Sequence, residues 1–126
     1  MLKECRQALR ITTEAYDGEL CSLMEAGARD LEVAGVKLPG TVSFQQVTVT
    51  TEVGTGTDAE TVTTTHWEDD SKLRDALVMR AIFTYARMMF GSPDDYERVK
   101  ESYGAQKVAL MHATGYTDYG EDGEEA

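Results

Sequence analysis

Two stretches decide how this 126-residue chain is read: Val42-Ser43-Phe44-Gln45-Gln46-Val47-Thr48-Val49-Thr50-Thr51-Glu52-Val53 and Thr61-Val62-Thr63-Thr64-Thr65-His66-Trp67. β-Branched side chains are stiff at χ1 and suit a pleated surface better than a helix. Gly54-Thr55-Gly56-Thr57-Asp58 lies between the runs and carries turn chemistry. The pattern predicts a two-stranded hairpin, roughly 42–53 against 60–67. Its alternation slips at Gln45-Gln46, where a bulge is expected. An isolated hairpin is marginal in water. This one is expected to pack on the rest of the chain or to pair with something outside it.

On both sides of the hairpin the period changes from two to 3.6. Leu2, Cys5 and Leu9 share one side of a short helix over 2–10, and Thr12-Thr13-Glu14 then breaks and restarts the chain. Tyr16, Leu20, Leu23, Met24, Gly27, Ala28 and Leu31 recur at three- and four-residue spacing and predict a helix over 14–34, with Gly35 as its C-terminal stop. A third helix is expected near 72–90, ending at Gly91. Leu73, Ala76, Leu77, Val78, Met79, Ala81, Ile82, Phe83, Tyr85, Ala86, Met88, Met89 and Phe90 cover most of its circumference, and Arg80, Thr84 and Arg87 form one narrow polar stripe. A helix apolar nearly all round reads as buried, and its width hints at a subunit interface. Ser92-Pro93-Asp94-Asp95 has the chemistry of a helix start and predicts a fourth helix over 93–112. The expected fold is mainly α, a bundle of about four helices with a β-hairpin inserted between the second and third long elements. Leu77, Ala81, Tyr85 and Met88 are expected to meet Leu20, Leu23, Met24 and Leu31 in the core. Residues 1–117 read as a single domain and 118–126 as an acidic, flexible tail.

Composition narrows the function classes. Acidic residues number 23 against 12 basic, for a formal charge of −11. Tight phosphate binding is driven by Lys and Arg, so this balance speaks against holding nucleic acid or an anionic membrane surface. DNA sliding past without specific binding is compatible with it. Two cysteines, Cys5 and Cys21, make no disulfide framework, and buried free thiols are expected. No stretch approaches the about 20 apolar residues of a membrane span. The N-terminal residues lack a signal-peptide hydrophobic region, so production in the cytoplasm is expected.

No catalytic constellation emerges. His66 and His112 are the two histidines. His66 lies in the strand-like segment, with no nucleophile or orienting partner beside it at a known spacing. Cys5, Cys21 and a histidine match no zinc spacing. Asp118, Asp122 and Glu124 resemble part of a calcium loop without its terminal glutamate. Gly54-Thr55-Gly56 lacks the lysine and the helix of a phosphate loop. Asp69-Asp70 and Asp94-Asp95 precede helices, where capping accounts for them. No cofactor, no metal and no enzymatic activity are expected.

In element order the chain resembles the small helical head–tail connector (adaptor) proteins of tailed bacteriophages. Leu9-Arg10-Ile11, the helix from Tyr16 to Leu31, and Asp75-Ala76-Leu77-Val78-Met79-Arg80-Ala81-Ile82 leading to Tyr85-Ala86 and Phe90-Gly91 carry the resemblance, with Tyr96 and Tyr103 beyond. It spans about 1–36 and 71–117. The 41–67 segment departs from it, since many relatives have a shorter, less strand-rich connection there. The resemblance implies a ring beneath the portal protein in the virion neck, twelve-fold to match it, with a free subunit that can remain a monomer. Such a ring extends the DNA channel and gives the stopper or tail-completion protein its platform. On this reading Val47, Val49, Val62, Trp67, Met88 and Met89 are expected at the subunit interface. Tyr116, Tyr119, Glu121 and Asp122 are expected to meet the portal. The alternative is a cytoplasmic helical binding module acting as a monomer or dimer, and a small enzyme ranks third.

Overall fold

The computed structural model of the protein describes residues 1–91 and 94–113. Four α-helices and two strands follow one another as α1 (Leu2–Ala8), α2 (Asp17–Val33), β1 (Phe44–Val53), β2 (Glu60–Asp69), α3 (Ala76–Met89) and α4 (Tyr96–His112). The mainly α expectation is corrected by the extent of the strands. About 52% of the described residues are helical and about 19% are strand, so the fold is mixed, a helical base carrying a long β-arm. The hairpin does sit between α2 and α3, as expected.

Local chemistry explains most element ends. Arg10 at φ 60° closes α1, with Ile11 N–H donating to Arg6 at 2.8 Å. A left-handed arginine carries no sequence signature, and α1 therefore stops at Ala8 rather than at residue 10. Gly35 at φ 101° ends α2, with Val36 N–H bonded back to the Leu31 carbonyl at 2.9 Å. The cap of α3 is Asp75, whose carboxylate accepts from Leu77 N–H at 3.0 Å and Val78 N–H at 3.1 Å. Asp69 and Asp70 do not cap that helix. They close the arm, and Ser71 is buried under Ser43. The expected Ser92–Pro93 start of α4 lies outside the described residues.

The core lies among the first three helices and the inner side of α4. Leu20, Met24 and Leu31 of α2 meet Val78, Ala81, Ile82 and Ala86 of α3, with Cys5, Leu73, Tyr103 and Leu110 closing the sides. Tyr85 lies flat across Gly27, where an added Cβ would fall 3.0 Å from its ring. One core expectation is wrong. Leu77 is 58% exposed, because the arc of α3 that α2 and α4 cover is centred on Val78, Ala81, Ile82 and Ala86. The apolar girdle of α3 is thus only partly enclosed.

β1 and β2 pair antiparallel in one unbroken register from Phe44 opposite Asp69 to Val53 opposite Glu60. There is no bulge at Gln45-Gln46. Those residues face Glu68 and Trp67 in ordinary alternation. The register continues beyond the strands. Asp70 N–H donates to Ser43 O at 2.9 Å, and Lys72 N–H to Thr41 O at 2.8 Å. Gly40 lets this base close up, since a Cβ there would lie 2.7 Å from Leu73 Cα.

Candidate interaction surface

The arm leaves the helical base and meets almost nothing beyond it. Ten residues per strand make it about 33 Å long at the usual rise. From Thr48 to His66 every side chain is exposed. The two faces differ in chemistry. Val47 opposite His66, Val49 opposite Thr64, Thr51 opposite Val62 and Val53 opposite Glu60 share one face. Thr48 opposite Thr65, Thr50 opposite Thr63 and Glu52 opposite Thr61 share the other. One face is therefore a row of valines, and the other is a row of threonines in which Thr48 and Thr65 hydroxyls lie 3.4 Å apart. Val49, Val53 and Val62 are 43%, 54% and 40% exposed. Among the described residues nothing covers the outer part of this apolar row, Val49, Val53 and Val62, nor the two unpaired strand edges beside it.

The arm is anchored at its root. Trp67 lies on the threonine side and packs back on α2, its Nε1 3.3 Å from where a Gly18 Cβ would stand. Phe44 packs on the same core. Asp69 accepts from the Met1 ammonium, from Leu2 N–H at 3.1 Å and from Ser71 N–H at 2.9 Å. Burial works against its ionised form. Those bonds, the ammonium's first among them, outweigh burial and hold its carboxyl down at about 2. The first residue of α1 and the last of β2 are thus joined at one charge.

A second feature lies on the base. The polar stripe of α3 borders a groove of about 370 Å³ that α3 forms with the end of α1. Leu9, Met79 and Phe83 make its apolar floor, Arg74, Arg80 and Arg87 its basic rim, and no carboxylate lines it. In a chain of charge −11 this is a local reversal. Arg87 of α3 and Arg98 of α4 share Asp95, the residue before α4, at 2.8 and 2.6 Å. Arg74 donates to the carbonyls of Ser71 and Leu73. Arg80 makes no ion pair among the described residues.

Of the expected interface residues, the fold brings Val47, Val49 and Val62 onto one face and adds Val53 to them. Trp67 is not with them, because odd and even positions of a strand face opposite ways. Met88 is half-buried against the core, and Met89, 45% exposed, is on α3 rather than on the arm. Tyr116, Tyr119, Glu121 and Asp122, with the rest of 118–126, lie outside the described residues. The arginine-rimmed groove escaped the sequence reading. Arg80, Thr84 and Arg87 were visible as a stripe, but the floor needs Leu9 of the first helix end brought alongside.

Chemistry of other kinds is thin among the described residues. No group of three or more His, Cys, Asp or Glu is placed to hold a metal ion. His66 is exposed on the arm, 3.3 Å from Glu68. Cys5 and Cys21 are buried free thiols, pushed up to about 12 by burial. Tyr103 donates to Asp30 at 2.5 Å and Lys107 adds a second bond at 3.2 Å, a tie between α2 and α4. Among the described residues no helix is long and apolar enough to cross a membrane. Comparison with protein-family models, curated proteins and solved structures found no match.

Proposed function

We propose that this chain is a structural subunit of a tailed-phage neck. It forms a ring beneath the portal protein, extends the DNA channel and seats the stopper or tail-completion protein, with no enzymatic step of its own. It would be made in the host cytoplasm and end in the virion at the head–tail interface. The observation that carries an assembly role is the arm. A hairpin with both faces in water is marginal alone, and a long uncovered valine row invites association. A surface of that kind gains its stability when a partner covers it. The net charge of −11 supports a channel wall past which DNA moves without being held. The sequence resemblance in the helical base supports the phage setting.

The test is sedimentation velocity over rising protein concentration, comparing the unaltered chain with a Val49→Glu/Val62→Glu variant. Exposed positions tolerate substitution within about 0.5 kcal/mol, so the variant keeps its circular dichroism and its melting temperature. The expected result is concentration-dependent association of the unaltered chain that the variant has lost. Identical monomers from both proteins at every concentration would refute self-assembly of the chain through its arm. A binding module for one foreign partner would give that second result.

A further inference from the structure

The arm presents a ligand, and the groove on the base has the complementary chemistry. We infer that the valine face of one copy's arm seats in the groove between α1 and α3 of a second copy. This rests on the proposal that the chain self-assembles, and it names the surface that receives the arm.

Charge selects the occupant. From Phe44 to Asp69 the arm carries Glu52, Asp58, Glu60, Glu68 and Asp69 and no lysine or arginine. The groove has three arginines on its rim and no carboxylate in its lining. The apolar parts match too. Val47, Val49, Val53 and Val62 form a strip bracketed on the same face by Glu60 and Glu68. Leu9, Met79 and Phe83 form a floor bracketed by Arg74, Arg80 and Arg87. The eight-residue strand interval from Glu60 to Glu68 spans about 27 Å. The interval from Arg74 to Arg87 spans about 20 Å along the helix direction. The extended side chains at each end bridge the difference.

A subunit's own arm does not fill its groove. Val49, Val53 and Val62 are exposed in the same structure that shows the groove open among the described residues, and the unbroken register gives the arm no bulge at which to fold back. Arm and groove are different faces, so the contact is head-to-tail. Such contacts close into a ring when the rotation fits and otherwise run on as a filament.

Disulfide trapping tests this directly. Val49→Cys is placed on the arm of one variant and Ala76→Cys, on the exposed start of α3 at the groove wall, in another. The native Cys5 and Cys21 are buried and their thiolates scarce, so they stay silent under mild oxidation. The two variants mixed should give one disulfide-linked pair of chains, and a chain carrying both substitutions should give a ladder. Adding Arg80→Glu should lower the yield about tenfold or more. A Val108→Cys partner, also exposed but on α4, should give only the background of random collision. Equal yields at positions 76 and 108 would overturn the inference. So would the absence of a 49–76 link in a chain whose association still depends on Val49 and Val62; the assembly proposal would then stand with a different acceptor. No link and no arm-dependent association would overturn both.

Discussion

At the scale of single residues, the root of the arm is where substitutions should tell most. Asp69 replaced by Asn keeps the shape and removes the charge that holds the Met1 ammonium and the Leu2 and Ser71 amides. The expected loss is about 1–3 kcal/mol, the usual cost of unmaking hydrogen bonds to a charged group. Its pH dependence follows from a carboxyl held low in the folded state at about 2. The contribution is fully present above the unfolded Asp value of about 3.9, and it fades as pH falls from there through about 2. Denaturant titrations at pH 7 and pH 2.5 should show the gap between the unaltered protein and Asp69→Asn shrinking at the lower pH. A gap that stays constant would remove the charge from the account. Gly40 is the second such position. A Cβ 2.7 Å from Leu73 Cα and 2.8 Å from Lys72 O meets backbone that cannot turn aside. Gly40→Ala should therefore cost about 1–3 kcal/mol, as overpacking does, read as a drop in melting temperature.

At the scale of elements, α3 shows what periodicity can and cannot reveal. Its apolar residues are so many that the sequence alone left the buried arc open, and Leu77 was placed inside. The arc is set by where α2 and α4 lie, and Ile82 is on it, fully enclosed, while Leu77 is outside. Ile82→Ala should cost about 2–5 kcal/mol. Leu77→Ala should cost no more than about 0.5 kcal/mol. Equilibrium unfolding of the two variants checks both, and a reversed order would put α3 in the wrong rotation. The hairpin was legible from its β-branched runs and its glycine-rich break. Its face partition was legible in part. Val47, Val49 and Val53 are all odd-numbered and share a face by simple alternation, which the expected slip at Gln45-Gln46, lying before all three, does not affect. Trp67 was grouped with the valines on hydrophobicity, although its place opposite Gln46 turns it toward Gly18 instead.

For the whole molecule, the order of elements could be read because capping residues, glycine stops and the change of period are local signals. Ends moved by a few residues where the cause carries no sequence signature, as at the left-handed Arg10, or is not local, as at the Ser71 pocket. The weight of strand in the fold was underread, since the register extends to Asp69 and beyond it to Lys72 rather than stopping at Trp67. The groove was not legible at all, because it exists only when the end of α1 lies beside α3. Arm and groove together describe a subunit that presents one face and receives on another, and the central claim is that copies join through them into a closed assembly. Native mass spectrometry of the protein at the concentration where it associates measures this most directly. The account predicts a single closed species with one fixed number of chains, replaced by monomer in Val49→Glu/Val62→Glu; a symmetric dimer, or a monomer unaffected by those substitutions, would contradict it.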